Sequence, residues 1–337
     1  MILPKVSVIT TFYNSVSLGD FVHKSMKVLL HQTYQNIEFI CVHDGSPDNT
    51  LQQLKEYQKQ DSRIIIIDKK NEGTAQYAKA AGQEAATGDY IMLFDHDDAL
   101  SLDAISLGIN KFLKNPELEM VGFLVDCIYP NGVRKYFYNL DEPITGDGDY
   151  KDKLLSGKEA LLKTVGNWDF HFRGLYKRDV FKSTSFRFTE KLVNADEIVE
   201  RQILNKVSKI GNCKGIYTHY IFDNSSAKSF NLKITDLVKT DLYLRDFFKE
   251  INIYEPRKKS FELVAYKNIV TATKCFHHFS KTLNREEYAF YFNRIKNAFQ
   301  SLNTEVTLQN YSGFAYLYNL FLLQSFRVFF YFYQYKS

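Results

Sequence analysis

Hydrophobic positions in the first hundred residues fall into short continuous runs, and each run stops at a polar cluster. This pattern predicts strands at Val6–Thr10, Ile37–His43, Arg63–Asp68 and Tyr90–Phe94, and helices over about Leu18–Gln32, Leu51–Gln60 and Thr74–Ala86. Strands alternating with helices of this length imply βαβ units and a parallel sheet, and unbroken apolar strands imply cover on both faces. In such sheets ligands sit beyond the carboxyl ends of the strands. The polar clusters Thr11–Asn14, Asp44–Asn49 and Asp95–Asp98 all lie there, so three loops are expected around one crevice.

The pattern is less regular from about 100 to 227. A helix is expected at Leu102–Leu113, a strand at Met120–Tyr129 and a Gly/Asp loop at Thr145–Tyr150. From about 228 the chain reads as helical and polar-aromatic. The expected organisation is an α/β domain over 1–227, with a regular half at 1–102 and a less regular half at 103–227, followed by a helical region over 228–337.

Composition adds an asymmetry. The formal net charge is only +4, too small to argue for nucleic acid, but residues 228–337 carry 16 Lys and Arg against 9 Asp and Glu. Tyr311–Tyr335 holds twelve aromatics with Arg327 as its one charge. This basic, aromatic end suits a peripheral contact with an anionic membrane surface, or packing against the catalytic domain or a second subunit. The four cysteines, Cys41, Cys127, Cys213 and Cys275, form no CxxC pair and read as isolated thiols. The first residues run from Met1 into Lys5-Val6-Ser7-Val8 without a secretion-signal pattern, so a cytoplasmic protein is expected.

The candidate chemistry lies in Asp95, Asp97 and Asp98. Carboxylates this close repel one another unless a cation neutralises them, and oxygen ligands without thiolates suit Mg²⁺ or Mn²⁺. A helix cap by Asp98 or Ser101 is the alternative use. There is neither a phosphate-cradling loop of the Walker type nor a G-x-G-x-x-G after the first strand. A nucleotide diphosphate held by metal and strand-end acids remains.

"VSVITTFYNS", "FICVHDGSPDNT" and "NEGTAQYAKAAGQEAATGDYIMLFDHDDAL" together resemble the nucleotide-sugar-binding half of family 2 glycosyltransferases. The likeness is dense over about 4–102 and looser over 165–230. It implies a GT-A fold, a Rossmann-like, mostly parallel α/β sheet, and inverting transfer from a UDP-sugar to a glycan hydroxyl. By this resemblance Thr11, Tyr13 and Asn14 line the uridine pocket, Asp44 bonds the uracil, and Asn71 and Gly73 form the turn beside the nucleotide. Asp95 faces the ribose and Asp97 the metal. Family members often carry Arg-Asn or Asn where this chain has Ala78-Lys79-Ala80, and Lys79 keeps a positive charge near the diphosphate.

The family's Glu-Asp pair corresponds to Ala195-Asp196, which makes Asp196 the general base and Glu197 its reserve. The alternative is that these acids simply favour a helix N-terminus. Trp168 and His171, in "WDFHFRGLYKRDVF", fall on the acceptor side. His219, in "YTHYIFDNSS", is a candidate third metal ligand. A bacterial surface polysaccharide or lipid-linked oligosaccharide is the acceptor class this context suggests. The competing readings are a nucleotidyltransferase and a non-catalytic glycan- or membrane-binding protein on a transferase scaffold.

Overall fold

The computed structural model describes residues 3–138, 154–166, 172–188, 191–192, 194–221 and 231–334. By contact the chain divides into two compact units. The first comprises Met1–Leu161, Phe170–Lys191 and Val199–Asp223, and the second comprises Leu162–Asp169, Leu192–Ile198 and Asn224–Ser337.

The first unit begins with the expected alternation: β1 (Val6–Phe12), α1 (Phe21–Leu30), β2 (Ile37–Asp44), α2 (Thr50–Gln60), β3 (Ile64–Lys69), α3 (Ala75–Ala85) and β4 (Tyr90–Leu93). β5 (Ala99–Leu100), α4 (Ala104–Lys114), β6 (Met120–Ile128), β7 (Arg134–Tyr138), α5 (Gly157–Thr164), β8 (Gly174–Lys177), α6 (Arg178–Phe181), α7 (Ala195–Lys206) and β9 (Ile210–Tyr220) follow in the chain, with the end of α5 and the first turn of α7 counted in the second unit. The sheet order is β3-β2-β1-β4-β8-β6-β9-β5, with β7 beside β6.

β1 to β4 are parallel, whereas β8 runs antiparallel to both β4 and β6. Chain order reverses between β1 and β4, which is the switch point where such sheets bind ligands. β1 and β2 are almost wholly buried, as continuous apolar strands should be. β3 is not: it is an edge strand with one neighbour, and Ile65 stays 39% exposed. Gly174 can only be glycine, because a Cβ there would meet the Val121 carbonyl oxygen at 2.2 Å.

The end of the sheet away from the polar clusters is locked by Glu38, 3% exposed. It accepts hydrogen bonds from Ser7 Oγ (2.5 Å) and from Thr87 N (2.7 Å) and Oγ1 (2.9 and 3.0 Å), and it pairs with Lys5. Burial works to raise its pKa, but these donors outweigh burial and bring it down to about 2.

The second unit is helical: α8 (Leu237–Glu250), α9 (Tyr254–Phe279), α10 (Arg285–Ser301), α11 (Thr304–Leu308), α12 (Gly313–Leu323) and α13 (Phe326–Gln334). A capping box at Asn284 and Glu287 starts α10. Glu262, fully buried, receives Arg245 Nε (3.0 Å), Tyr254 Oη (2.8 Å) and Asn303 N (2.8 Å), so one carboxylate ties α8, α9 and the turn into α11. Tyr311–Tyr335 does not form one long segment. It breaks into α12 and α13, and no helix among the described residues is long and apolar enough to cross a membrane. Cys41, Cys213 and Cys275 are buried and Cys127 half-buried, all as free thiols.

Two buried acids predict opposite pH responses. Glu38 has a lowered pKa, so its contribution is full above about pH 4.5 and is lost as pH falls towards 2. Asp241, 3% exposed, has its pKa raised to about 7, mainly by burial against the opposing Asn268 hydrogen bond and Arg245 charge. Its contribution is full below about pH 3.8 and is lost as pH rises through 7. Chemical denaturation at stepped pH should show Asp241→Asn removing the loss between pH 4 and 7. Glu38→Gln should destabilise by about 2 kcal/mol at neutral pH and flatten the acid limb.

Candidate functional site

Strand register brings the site together. Phe12 at the end of β1 pairs with His43 on β2, and His43 pairs with Asp68 on β3. Beyond this row the loops tie to one another. Asn14, in the left-handed region at φ 52°, donates its N–H to Ser46 Oγ (3.0 Å), which joins the loops after β1 and β2. His96 Nδ1 donates to the Thr11 carbonyl (2.9 Å) and its ring packs on Phe12 and Phe21, which joins the loops after β1 and β4. Thr11 is half-buried, and Tyr13 is 43% exposed.

The loop after β2 is held rigidly. Ser46 N–H donates to His43 Nε2 (3.0 Å), so Nδ1 carries the ring proton and donates to Asp68 (2.7 Å). Ser46 Oγ faces Asn14 instead of the imidazole, which rules out a Ser–His nucleophile here. An open cleft of about 510 Å³ runs along α2 from His43 and Ser46 to Lys59, but Asp44, Asp95 and Asp97 do not line it.

Asp44, 4% exposed, accepts from Lys69 Nζ (2.8 Å) and Asn71 Nδ2 (3.0 Å). Asn71 Oδ1 in turn accepts from Gly73 N (2.6 Å). Gly45 sits at φ +64°, and a Cβ there would lie 2.6 Å from the Asn71 nitrogen, so only glycine lets the two turns meet. Asp44, Asn71 and Gly73, linked in the sequence reading, thus form one cluster. Lys69 belongs with them and was missed; its signal is the strand register, which sets it opposite Asp44. Lys79 is half-buried on α3.

The three acids after β4 have three different surroundings. Asp95 Oδ2 is 3.0 Å from an Arg173 guanidinium nitrogen, and that guanidinium lies 5.1 Å over the Tyr217 ring. Asp98, 4% exposed, accepts from Tyr217 Oη (2.8 Å), His219 Nδ1 (3.0 Å) and Tyr220 N (3.1 Å). Tyr217 Oη also accepts the Asp95 N–H (3.2 Å). Asp97 is half-buried and receives no side-chain donor among the described residues. Burial, then the charges of Asp98 and Asp95, push its carboxyl above the ordinary carboxylate value.

One expectation changes here. Asp98 and Ser101 do not cap α4: that helix starts after Asp103 with no side-chain cap, while Ser101 Oγ accepts from Ile216 N (3.1 Å). His219 has Nδ1 committed to Asp98, and among the described residues no three His, Cys, Asp or Glu side chains cluster for a metal. The Nδ1 bond to Asp98 leaves Nε2 as the ring nitrogen that could meet a ligand, an orientation of the kind a carboxylate imposes on a metal-binding histidine. Burial works to lower its pKa, but the Asp98 carboxylate outweighs burial and raises it. A hard divalent ion still fits Asp97. The donor is oxygen, its local field is negative, and such ions complete their shell with water and phosphate oxygens.

Asp196 and Glu197 fall in the first turn of α7, where Asp196 is half-buried and Glu197 only 1% exposed. Glu200, four residues after Asp196, accepts the Phe172 N–H (2.5 Å) beside Arg173. Trp168 and His171 lie outside the described residues. Arg173 and Tyr217 were missed as site residues, although both sit in the segments quoted for the resemblance.

Parallel strands that end in acids around a switch point define an α/β protein with a ligand crevice at the carboxyl ends of its strands. Residues 7–182 match the model of the family described as glycosyl transferase family 2. The chain belongs to that family, and its fold is of the GT-A type.

Among its relatives, glycosyltransferase GlyG of Streptococcus pneumoniae is 29% identical over 188 residues, covering 54% of this chain and 59% of that one. The uncharacterized glycosyltransferase EpsJ of Bacillus subtilis is 29% identical over 196 residues, covering 58% and 54%. The matches therefore span little more than half of those relatives. Two solved structures share the fold at 15% identity. One is S. aureus TarS 1–349 in complex with UDP-GlcNAc (TM-score 0.55, covering 90% of this chain and 82% of that one). The other is the mannosyltransferase PcManGT of Pyrobaculum calidifontis in complex with GDP-Man and Mn²⁺ (TM-score 0.51, covering 95% and 86%).

Replacing Arg173 with Gln should leave the acid cluster without its built-in cation. Thermal unfolding should show a loss of about 2–3 kcal/mol, less than for a fully buried pair because Asp95 is 30% exposed. Added Mn²⁺ should then raise the Tm of the variant more than that of the wild type, and Arg173→Lys should fall between. Equal metal shifts in both proteins would mean that Arg173 does not neutralise the cluster.

Proposed function

We propose that the protein transfers a sugar from a UDP-sugar to a hydroxyl of a glycan acceptor, with inversion, by a metal-assisted single displacement. The observation that carries this reading is Asp97: a half-buried carboxylate, its pKa raised by burial and then by the like charges of Asp98 and Asp95, without a side-chain donor among the described residues, at the switch point. Uracil presents one N–H between two carbonyls. Asp44, flanked by the donors Lys69 and Asn71, is the complement of that edge, whereas cytosine would set an acceptor against the carboxylate. That TarS was solved with UDP-GlcNAc supports the same donor class.

Asp97 would hold Mn²⁺ or Mg²⁺, with Asp95 kept in place by Arg173. A bound divalent ion supplies charge neutralisation for the diphosphate that departs. Asp196 takes the proton of the acceptor hydroxyl as its oxygen bonds to the anomeric carbon and the bond from that carbon to the diphosphate breaks. Asp196 is preferred to Glu197 because it alone retains exposed surface. A bacterial surface polysaccharide or lipid-linked oligosaccharide is the acceptor class we favour, and it would place the reaction at the cytoplasmic face of a membrane. The pneumococcal and Bacillus relatives are consistent with a bacterial setting.

Released nucleotide from a panel of UDP-, GDP-, dTDP- and CMP-sugars, with Mn²⁺, Mg²⁺ or EDTA, tests this. One UDP-sugar should be turned over, and only with metal. Asp97→Ala should abolish turnover, and Asp196→Asn should reduce kcat about 10²–10⁴-fold with little change in donor KM. Asp44→Asn should raise donor KM on the order of tenfold or more. If no nucleotide sugar is turned over or shifts the Tm, the proposal is wrong.

A further inference from the structure

α12 is built inside out. Its inward face carries Leu322, Leu323 and the buried Asn319, whose Oδ1 accepts from Tyr266 Oη (2.8 Å) and whose Nδ2 caps the Ala315 carbonyl (2.8 Å). Its outward face carries Phe314 (84% exposed), Leu317 (61%) and Phe321 (53%), at i, i+3 and i+7, flanked by Tyr316 and Leu320. A polar residue is buried where a leucine would pack, and two phenylalanines stand in solvent. α13 is no such case: its Phe329, Phe330 and Tyr333 pack inward on Phe292, Phe299 and α9.

Charge selects what covers this face. After Glu305 the chain has no further acid, and Arg327 on α13 is exposed. Asn310 Nδ2 donates to the Lys259 carbonyl (3.1 Å), which places the approach to α12 beside exposed Arg257 and Lys259 of α9. A second copy would bring the same basic residues against these, whereas an anionic lipid surface answers them with opposite charge. Eleven helical residues span roughly 16 Å, about half a hydrocarbon core, so the helix can lie on a bilayer but not cross it.

We propose that the outward face of α12 docks in the headgroup layer of an anionic bilayer, with Phe314, Leu317 and Phe321 inserted and Arg257, Lys259 and Arg327 against the lipid phosphates. This goes beyond the catalytic reading and does not depend on it. The aromatic and leucine side chains supply buried apolar area, and the basic residues supply attraction that salt screens.

The test is sedimentation of the full chain with phosphatidylcholine vesicles, with and without phosphatidylglycerol. The wild type should bind the anionic vesicles in preference to the neutral ones, and less so in high salt. The triple variant Phe314→Ser, Leu317→Ser, Phe321→Ser should lose binding by on the order of tenfold to a hundredfold. Its Tm should hold, since all three side chains are exposed. Arg257→Glu with Lys259→Glu should weaken binding to anionic vesicles and leave binding to neutral ones unchanged. Equal binding by the wild type and the triple variant would overturn the proposal, as would wild type that binds neither vesicle. So would a concentration-dependent dimer, seen by light scattering, that the triple variant dissolves while vesicle binding persists.

Discussion

Three carboxylates leave the sheet within five residues of the end of β4, and their mutual repulsion is the constraint around which this end of the protein is arranged. Like charges so close cost on the order of a few kcal/mol per pair at the edge of a protein. The fold answers by giving each acid a separate environment. Arg173 neutralises Asp95, and a tyrosine, a histidine and a backbone amide satisfy Asp98. Asp97 receives neither an arginine nor a side-chain donor among the described residues. The repulsion is thereby reduced at two positions and concentrated at the third, where the proposed divalent ion would relieve it.

This arrangement needs a mixed sheet. Arg173 stands just before β8 and Tyr217 is on β9, both in the part where strand directions alternate, while Asp95 leaves the parallel part. β8, antiparallel to β4 and β6, brings the arginine up beside the end of β4. At the opposite end of the strands Glu38 gathers Ser7, Thr87 and Lys5 into a closed, satisfied network. One end of the sheet has its polar groups matched internally, and the other leaves a carboxylate for a ligand.

The parallel half was legible because its strands are continuous apolar runs with turn clusters between them, a pattern that local sequence carries in full. β3 departed from the expected two-sided cover because edge position is a matter of topology, which Ile64–Lys69 does not encode. β8 and β9 went unread. Four residues are too few to show a period, and Gly211, Asn212, Lys214 and Gly215 interrupt the apolar character of β9. Asp44, Asp95 and Asp97 could be picked out as acids at strand ends. Arg173 could not, since nothing near it in sequence says that it reaches a carboxylate 78 positions away. The break of Tyr311–Tyr335 into two helices with different faces was likewise invisible to composition.

The cluster around Asp44 has one more consequence. Asp44, Gly45, Lys69, Asn71 and Gly73 all come from a single strand–helix–strand unit, and the hydrogen bonds that join them are made inside it. The surroundings of Asp95 instead join positions as far as 122 residues apart. The first is a cassette and the second a keystone. Recombination between related genes could exchange the cassette whole and keep its geometry, whereas a crossover between β4 and β9 would separate partners that fit only each other. On the proposed role of Asp44, change in nucleotide preference should therefore come easily to this architecture by transplantation, and change at the acid cluster only by slow, compensated steps.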